Sequence, residues 1–296
     1  MLLNGFLARA AIAFLLLAAP ALAQDKPLTD DEKKAIWAAA DAASLAGPTD
    51  VPLGDQAKLH LADTFIFIPK AQAGELMRMW GNSVGDGFHG LVFAKSTTEQ
   101  WVISIDHVNE GYVKDDDAKS WNADDLLQSL KDGTSAQNEL RLKLGLPALE
   151  IVGWVQKPEY ESIHHRLFWS VKAVDVGAAA DAAATVNYNT YALGRDGYFT
   201  VNLMTTDKTV EQDKSAARSV VAAVDYNGGK SYADFKPDTD RVAEYGLAAL
   251  IAGVAAKKLG LLAVVGVFVA KFAKIILAAV VVAGGGMFKF FRRKSE

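Results

Sequence analysis

The 296-residue chain contains no cysteine, which removes disulfides, thiolate metal sites and a cysteine nucleophile at one stroke. A thiol-free chain suits an oxidising compartment, although cytoplasmic chains can lack cysteine too. Histidine is scarce, with five in all. His60, His89, His107, His164 and His165 include no pair at the i, i+4 spacing of a helical zinc site. Adjacent His164 and His165 are expected on opposite faces of a strand, His165 beside Ile163, Leu167, Trp169 and Val171 as a core-edge residue. Acidic residues are scarce at both ends. Arg9 is the lone charge before Gln24, and eight bases face one acid from Gly246 onward. The stretch between holds 22 bases and 34 acids, a net of −12. An acidic body excludes nucleic acid as its partner and suits a solvated domain.

Long hydrophobic runs occur at the two ends alone. Residues 1–23 read as a secretory signal: Arg9 is the basic element, residues 10–19 the short apolar core, and Pro20 the break. Ala21-Leu22-Ala23 then forms an A-x-A cleavage site before Gln24. Residues 259–287 are long enough for the roughly 20 residues a bilayer needs. Fifteen Leu, Ile, Val and Phe side chains between residues 259 and 282 contribute about −7 kcal/mol, and central Lys271 and Lys274 cost about 5 to 7 before snorkelling. On a helix, Lys257, Lys271, Lys274 and Lys289 form one basic stripe. The stripe suits a tilted span with snorkelling lysines, an oligomeric span with a polar interior, or a helix in the headgroup plane. The spanning helix is the preferred expectation. Arg292, Arg293 and Lys294 would then hold a cytoplasmic tail by the positive-inside rule.

The expected organisation is a signal peptide (1–23), an extracytoplasmic domain (24–245), a juxtamembrane helix (246–258), a transmembrane helix (259–287) and a basic tail (288–296). That places the chain in a bacterial inner membrane, with the lipid bilayer as one partner. Within the body, Thr29 and Glu32 form a capping box opening a helix to about Ala46, and Gly47-Pro48 stops it. Residues 58–69 read as a strand and 71–80 as a short helix. Residues 91–94 and 101–108 read as paired strands, with Trp101, Ile103, Ile105 and His107 on one face. Asn122 caps a helix to about Leu130, and 135–144 reads as another. Strands follow at 151–155 and 163–174. Residues 185–193 and 198–205 flank Asp196-Gly197 as a hairpin. Residues 208–223 read as helix, and a helix from Asp238 is expected to lead into the C-terminal segment. Antiparallel strands with inserted helices, followed by a C-terminal transmembrane helix, make the fold α+β.

Several short motifs then carry a resemblance. They are Trp80-Gly81-Asn82, Gly111-Tyr112-Val113 running into Asp115-Asp116-Asp117-Ala118, and Gly153-Trp154 with Pro158 and Tyr160. Leu193-Gly194-Arg195-Asp196-Gly197, Tyr232-Ala233-Asp234-Phe235 and Ala243-Glu244-Tyr245-Gly246 complete the set. In this order, from about Asp50 to the C-terminus, the chain resembles a bacterial family of uncharacterised membrane-anchored proteins, a domain of unknown function. The resemblance implies a signal peptide, an extracytoplasmic domain and a C-terminal anchor. It implies no activity, cofactor or catalytic residue.

Candidate chemistry is sparse. Gly81-Asn82-Ser83-Val84-Gly85 matches G-x-S-x-G, but a nucleophile elbow needs a strand-to-helix turn, whereas here helix precedes and loop follows. Gly229-Lys230-Ser231 resembles the end of a phosphate-binding loop, yet Val224 stands where its first glycine belongs. Asp115, Asp116 and Asp117 offer oxygen ligands for a hard cation. Lys119 and Ser120 break the calcium-loop pattern, and a solvated acidic turn is the plainer account. No cofactor is expected. The reading preferred is a binding module of the cell envelope, meeting envelope proteins or self-associating through its anchor; the alternative is an envelope serine hydrolase using Ser83.

Overall fold

The computed structural model describes residues 28–143, 145–179 and 184–252. The signal region, the hydrophobic segment 259–287 and Lys271, Lys274, Arg292, Arg293 and Lys294 lie outside these residues. No helix among the described residues is long and apolar enough to cross a membrane.

The N-terminal half begins with α1 (Asp30–Ala43), opened by the Thr29–Glu32 capping box in both its hydrogen bonds. Short β1 (Leu45–Ala46), β2 (Thr49–Leu53), β3 (Ala57–Leu61) and β4 (Phe65–Pro69) follow, then α2 (Lys70–Met79), β5 (Phe88–Ala94), β6 (Val102–Val108) and β7 (Tyr112–Lys114). The expected single strand 58–69 is therefore two strands in different sheets. Exposed Ala62, Asp63 and Thr64 turn the chain between them, closed by the Phe65 amide on the Ala62 carbonyl at 3.1 Å.

A one-turn 3₁₀ segment (Asp116–Lys119) leads to α3 (Ala123–Lys143). The Asn122 side chain accepts from the Asp124 and Asp125 amides, as its sequence position implies. α3 is one helix where two were expected. It runs through Gly133, since a glycine costs a helix only about 1 kcal/mol and Thr134 beside it is buried.

Four long strands come next: β8 (Leu149–Glu161), β9 (Arg166–Asp175), β10 (Thr185–Leu193) and β11 (Tyr198–Thr206). The β10–β11 hairpin keeps full register around Asp196-Gly197. Gly197 sits at φ +150°, and a Cβ there would collide with the Val108 carbonyl. α4 (Val210–Ala222), β12 (Val224–Tyr226), β13 (Val242–Gly246) and α5 (Leu247–Ala252) end the described chain. Residues 242–246, expected as helix, form a strand pairing in parallel with β7. Asp238 caps nothing; the turn before β13 is organised by Asp240, which accepts from the Lys236 amide and the Thr239 hydroxyl.

One eight-stranded antiparallel sheet, ordered β1-β4-β5-β6-β11-β10-β9-β8, dominates the body, confirming the α+β expectation. One face packs on the β12-β3-β2 sheet and α4, through Ile103, Ile105, Phe199, Val201 and Leu203 against Leu53, Leu59, Ala217, Val220 and Val221. We call this the core face. On the opposite face, Trp37, Leu76 and Met77 of α1 and α2 meet Leu91, Phe93, Val102 and Met204. α3 packs on β8, and α5 on α3, farther along this helix face. Leu247, Leu250 and Ile251 of α5 are buried, so the compact unit runs through Ala252.

Candidate functional site

Trp80 packs on Trp37 and Trp154 on the start of α3, but most of the segments that carry the resemblance meet at one pole of the body. The β10–β11 turn, the β8–β9 turn, the stretch after β6 and the loop from β12 to β13 all lie there. Tyr112 on β7 stacks against Phe235 (centroids 3.8 Å apart) and against Tyr232 (4.3 Å). Tyr232 in turn lies 4.1 Å from the His165 ring. Four rings from three separate segments thus form a continuous column. Offset aromatic contacts of this kind add about 0.5–1.5 kcal/mol each beyond the area they bury.

The column is braced by hydrogen bonds. The Tyr160 hydroxyl donates to Asp115 Oδ2 at 2.7 Å and lies 3.1 Å from His165 Nδ1. With its single proton committed to Asp115, the Tyr160 oxygen is free to accept from the imidazole. The Tyr232 hydroxyl donates to the Val113 carbonyl at 2.9 Å. Burial, with the Asp115 carboxylate assisting, pushes the Tyr160 phenol far above its ordinary range. Burial does the same for Tyr232 and, less strongly, for Tyr112. These phenols remain protonated donors at any physiological pH.

His165 does not sit on a strand. It occupies the β8–β9 turn with a left-handed φ of 52°, and the ladder resumes only at Glu161 opposite Arg166. The expected division of His164 and His165 between strand faces is thereby replaced by a turn. There His165 reaches Tyr160, and His164 Nδ1 lies 2.9 Å from Glu161 Oε1 at the surface.

Two of the three aspartates have separate tasks, and Asp116 is exposed. Asp115 holds Tyr160, whereas Asp117 accepts from the Leu247 and Ala248 amides, both at 3.0 Å. It therefore caps α5, taking two of the amides that a helix start leaves without partners. Gly246 permits this approach: a Cβ there would lie 2.5 Å from Asp117 Oδ2. The described residues include no group of three His, Cys, Asp or Glu side chains able to hold a metal ion.

Beside the column, the charged residues of the β10–β11 turn are paired. Arg195 spans both oxygens of Asp240 at 2.6 and 2.7 Å and donates to the Gly229 carbonyl. The bidentate guanidinium holds the Asp240 carboxyl far below the ordinary carboxylate range. Lys230 donates to Asp196 at 2.9 Å and lies 3.7 Å from Asp55. Lys230 thus serves an ion pair in a turn, and the phosphate-loop likeness of its neighbours has no counterpart in the structure. Deeper in, His107 and His89 flank Phe199 at centroid distances of 4.8 and 5.7 Å. Burial, followed by the charges of His107 and Lys70, pushes His89 down to about 4. Burial also lowers His107 against the pull of Asp55 and Asp196. Both rings are neutral at pH 7.

Ser83 lies in residues 80–87, between α2 and β5. The order helix, loop, strand is the reverse of a nucleophile elbow. Of the residues at the pole, the sequence drew attention to Asp115 and Asp117 for their charge. It gave no sign that Tyr160, His165 and α5 were their partners.

Among solved structures, the chain is similar to cyanobacterial PsbP from Synechocystis, with a TM-score of 0.35 and 11% identity over 62% of this chain and 91% of that one. It is also similar to the Ran-binding protein Mog1p of Saccharomyces cerevisiae, with a TM-score of 0.29 and 14% identity over 60% of this chain and 93% of that one. No curated protein matches it in sequence. A family match covers residues 45–281, most of the chain, and the protein belongs to that family, described as a protein of unknown function (DUF2167).

Proposed function

We propose that the protein is a binding module held at the outer side of a bacterial inner membrane, with the aromatic pole as its recognition surface. The observation that carries this reading is the convergence of Tyr112, Tyr160, His165, Tyr232 and Phe235 with the Arg195–Asp240 and Lys230–Asp196 pairs. Rings, protonated phenols and fixed charges are what recognition surfaces are built from. The hydrogen bonds spend the Tyr160 and Tyr232 protons inside the protein, which fixes the rings as contact surfaces and leaves no phenolate nucleophile. Support for the location comes from the A-x-A site before Gln24 and from the apolar, lysine-striped segment at residues 259–287. That segment is the proposed tether, and envelope proteins or further copies of the chain are the proposed partners.

The test is fractionation of cells carrying a C-terminally tagged copy. The mature chain is expected to start at Gln24, to stay in membranes washed with alkaline carbonate, and to lose its body when spheroplasts are treated with protease. Release by carbonate would replace the spanning helix with an interfacial one. A body shielded in spheroplasts would end the extracytoplasmic reading.

A further inference from the structure

The β8–β9 hairpin ends in a turn of unusual composition, Ser162-Ile163-His164-His165. Tight turns favour Gly, Pro, Asn, Asp and Ser, which suit the bend or bond within it. Here β-branched Ile163 stands at the tip and is 83% exposed, more than any other large hydrophobic side chain among the described residues. The turn beneath it is held in place. His165, at its left-handed φ of 52°, lies against Tyr232 and Tyr160, Glu161 faces Arg166 across the hairpin, and His164 reaches back to Glu161. Beside the turn lies an apolar rim: Val242, 37% exposed, pairs with Tyr112, whose ring and that of Phe235 are part-exposed. Lys114 and Lys236 on this rim are matched by Asp116 and Asp238, all four exposed. Net charge therefore does not select a partner here, and the apolar tip does.

The described chain ends close to this corner of the sheet. Asp117 holds the first amides of α5, and Asp115, two residues earlier, holds Tyr160 at the foot of the turn. The Leu250 carbonyl accepts from Tyr191, whose partner across the ladder is Leu167, four residues from Ile163. Six residues, 253–258, separate Ala252 from the apolar run at 259–287, and six residues span at most about 20 Å. Leu142, Leu146 and Val176, three of the other exposed apolar side chains, gather at the far end, where Val176 bonds to the Ala148 carbonyl. Val176 follows β9, nine residues from Leu167 and so about 30 Å away.

We propose that Ile163 seats the body on the lipid surface, the β8–β9 turn entering the headgroup layer close to where the chain passes into the bilayer. This rests on the tethered reading above and adds the lipid surface to what the aromatic pole meets. A bilayer entered by the apolar run lies within reach of the Ile163 end. Entry to the acyl boundary takes an apolar side chain out of water. Tyrosine rings beside it suit the headgroup level, where one end of the ring is apolar and the other wet. With its turn fixed by His165, Ile163 needs no ordering on entry, so little of the gain is lost. The body is then held at two points, tether and tip, which stops it swinging about the tether and keeps the pole turned to the membrane.

The test uses the full-length protein, whose lack of cysteine lets a single introduced thiol carry a fluorophore. Ser162→Cys and Val176→Cys, each labelled with bimane, are reconstituted into vesicles of phosphatidylethanolamine and phosphatidylglycerol, with and without nitroxide-bearing lipid. Co-flotation with the vesicles reads the tether on its own. The Ser162→Cys label is expected to be quenched at least about twofold, as entry about 5–10 Å into the headgroup boundary implies, and the Val176→Cys label to be unchanged. Adding Ile163→Asp to Ser162→Cys is expected to restore the fluorescence while flotation persists, since so exposed a side chain is not part of the core. Flotation without quenching at Ser162→Cys overturns the proposal and leaves the tether standing, with the tip open to a protein partner instead. Equal quenching of both labels overturns it too, as does quenching that survives Ile163→Asp. A chain that does not float removes tether and proposal together.

Discussion

Both faces of the large sheet are covered by packed elements, but their buried polar groups are satisfied differently. On the core face, the buried polar side chains find partners: Ser170 donates to the Asn187 carbonyl at 2.9 Å, Thr190 to the Val201 carbonyl at 2.6 Å, Tyr188 to the Gln156 side-chain oxygen at 2.9 Å, and Thr205 to the Asp213 carboxylate. On the helix face, Asn202 and the Asn187 oxygen find none. A short hydroxyl on a strand can bend back to its own ladder. An amide aimed away from the sheet needs something placed opposite it. The core face is thus complete within the described residues, whereas the helix face is complete only at its flanks.

The strongest way to break this comparison is a large truncation on the core face. Leu203→Ala removes a fully buried side chain between the two sheets and is expected to cost about 2–5 kcal/mol, read as a lower urea midpoint with unchanged slope. A loss under about 1 kcal/mol would show that the core face tolerates a void and that the two faces do not differ in packing.

Asp117→Ala tests the helix face by a different route. It strips the cap from α5, whose Leu250 carbonyl accepts from the Tyr191 hydroxyl at 3.2 Å. A cost of about 0.5–2 kcal/mol is expected. Amide exchange should rise in α5 and around Tyr191 while α4 and β3 keep their protection. Uniform loss of protection would mean the two faces open together.

Thr190→Val is nearly isosteric and removes one satisfied hydroxyl from the core face. It is expected to cost about 1 kcal/mol, measured by thermal melting, and no change would place that hydroxyl among the dispensable ones.

A change of slope with pH, the two contributions offsetting one another in the intact protein, is the most discriminating test. Asp106 faces the helix side and is pushed up to about 6, so between pH 4 and 6 the folded state holds this proton more tightly than the unfolded chain. Its contribution to stability falls as pH rises through that window. His89, at the end of the core face, is pushed down to about 4. The unfolded chain binds that proton more tightly, and its contribution rises from pH 4 to about 6.5. The two slopes oppose each other in the intact protein. Asp106→Asn should leave a stability that climbs more steeply with pH, and His89→Gln one that climbs less or declines. The same change of slope in both variants would refute the assignment.

The readable part of the fold was what local signals specify. The capping box at Thr29, the Asp196-Gly197 hairpin and the shared face of Trp101, Ile103 and Ile105 all depend on neighbours within a few residues. The misread parts depend on distant partners. Residues 242–246 are a strand because β7, 130 residues earlier, offers a parallel edge at Val242 opposite Tyr112. Asp117 is a cap only because Leu247 comes to it. The buried polar side chains of the helix face were hidden for a subtler reason. Asn187, Asn189 and Asn202 stand at alternate strand positions, the pattern of a solvated face. Only packing on both flanks shows that the face is enclosed. The pole was half legible, since the resemblance drew on Tyr112, Tyr160, Tyr232 and Phe235 without indicating that they meet.

The Asp117 clamp has a mechanical side. Tension on the chain beyond Ala252 would first meet α5, whose leading amides are held by Asp117, and then the β13–β7 pair. Asp117 belongs to the short turn that follows β7, and Asp115 two residues earlier is tied to Tyr160 at the end of β8. A pull is therefore shared among three remote stretches of chain before it can peel a strand from the large sheet. Under such a pull the junction would work as a strain relief, like the collar where a cable enters its housing.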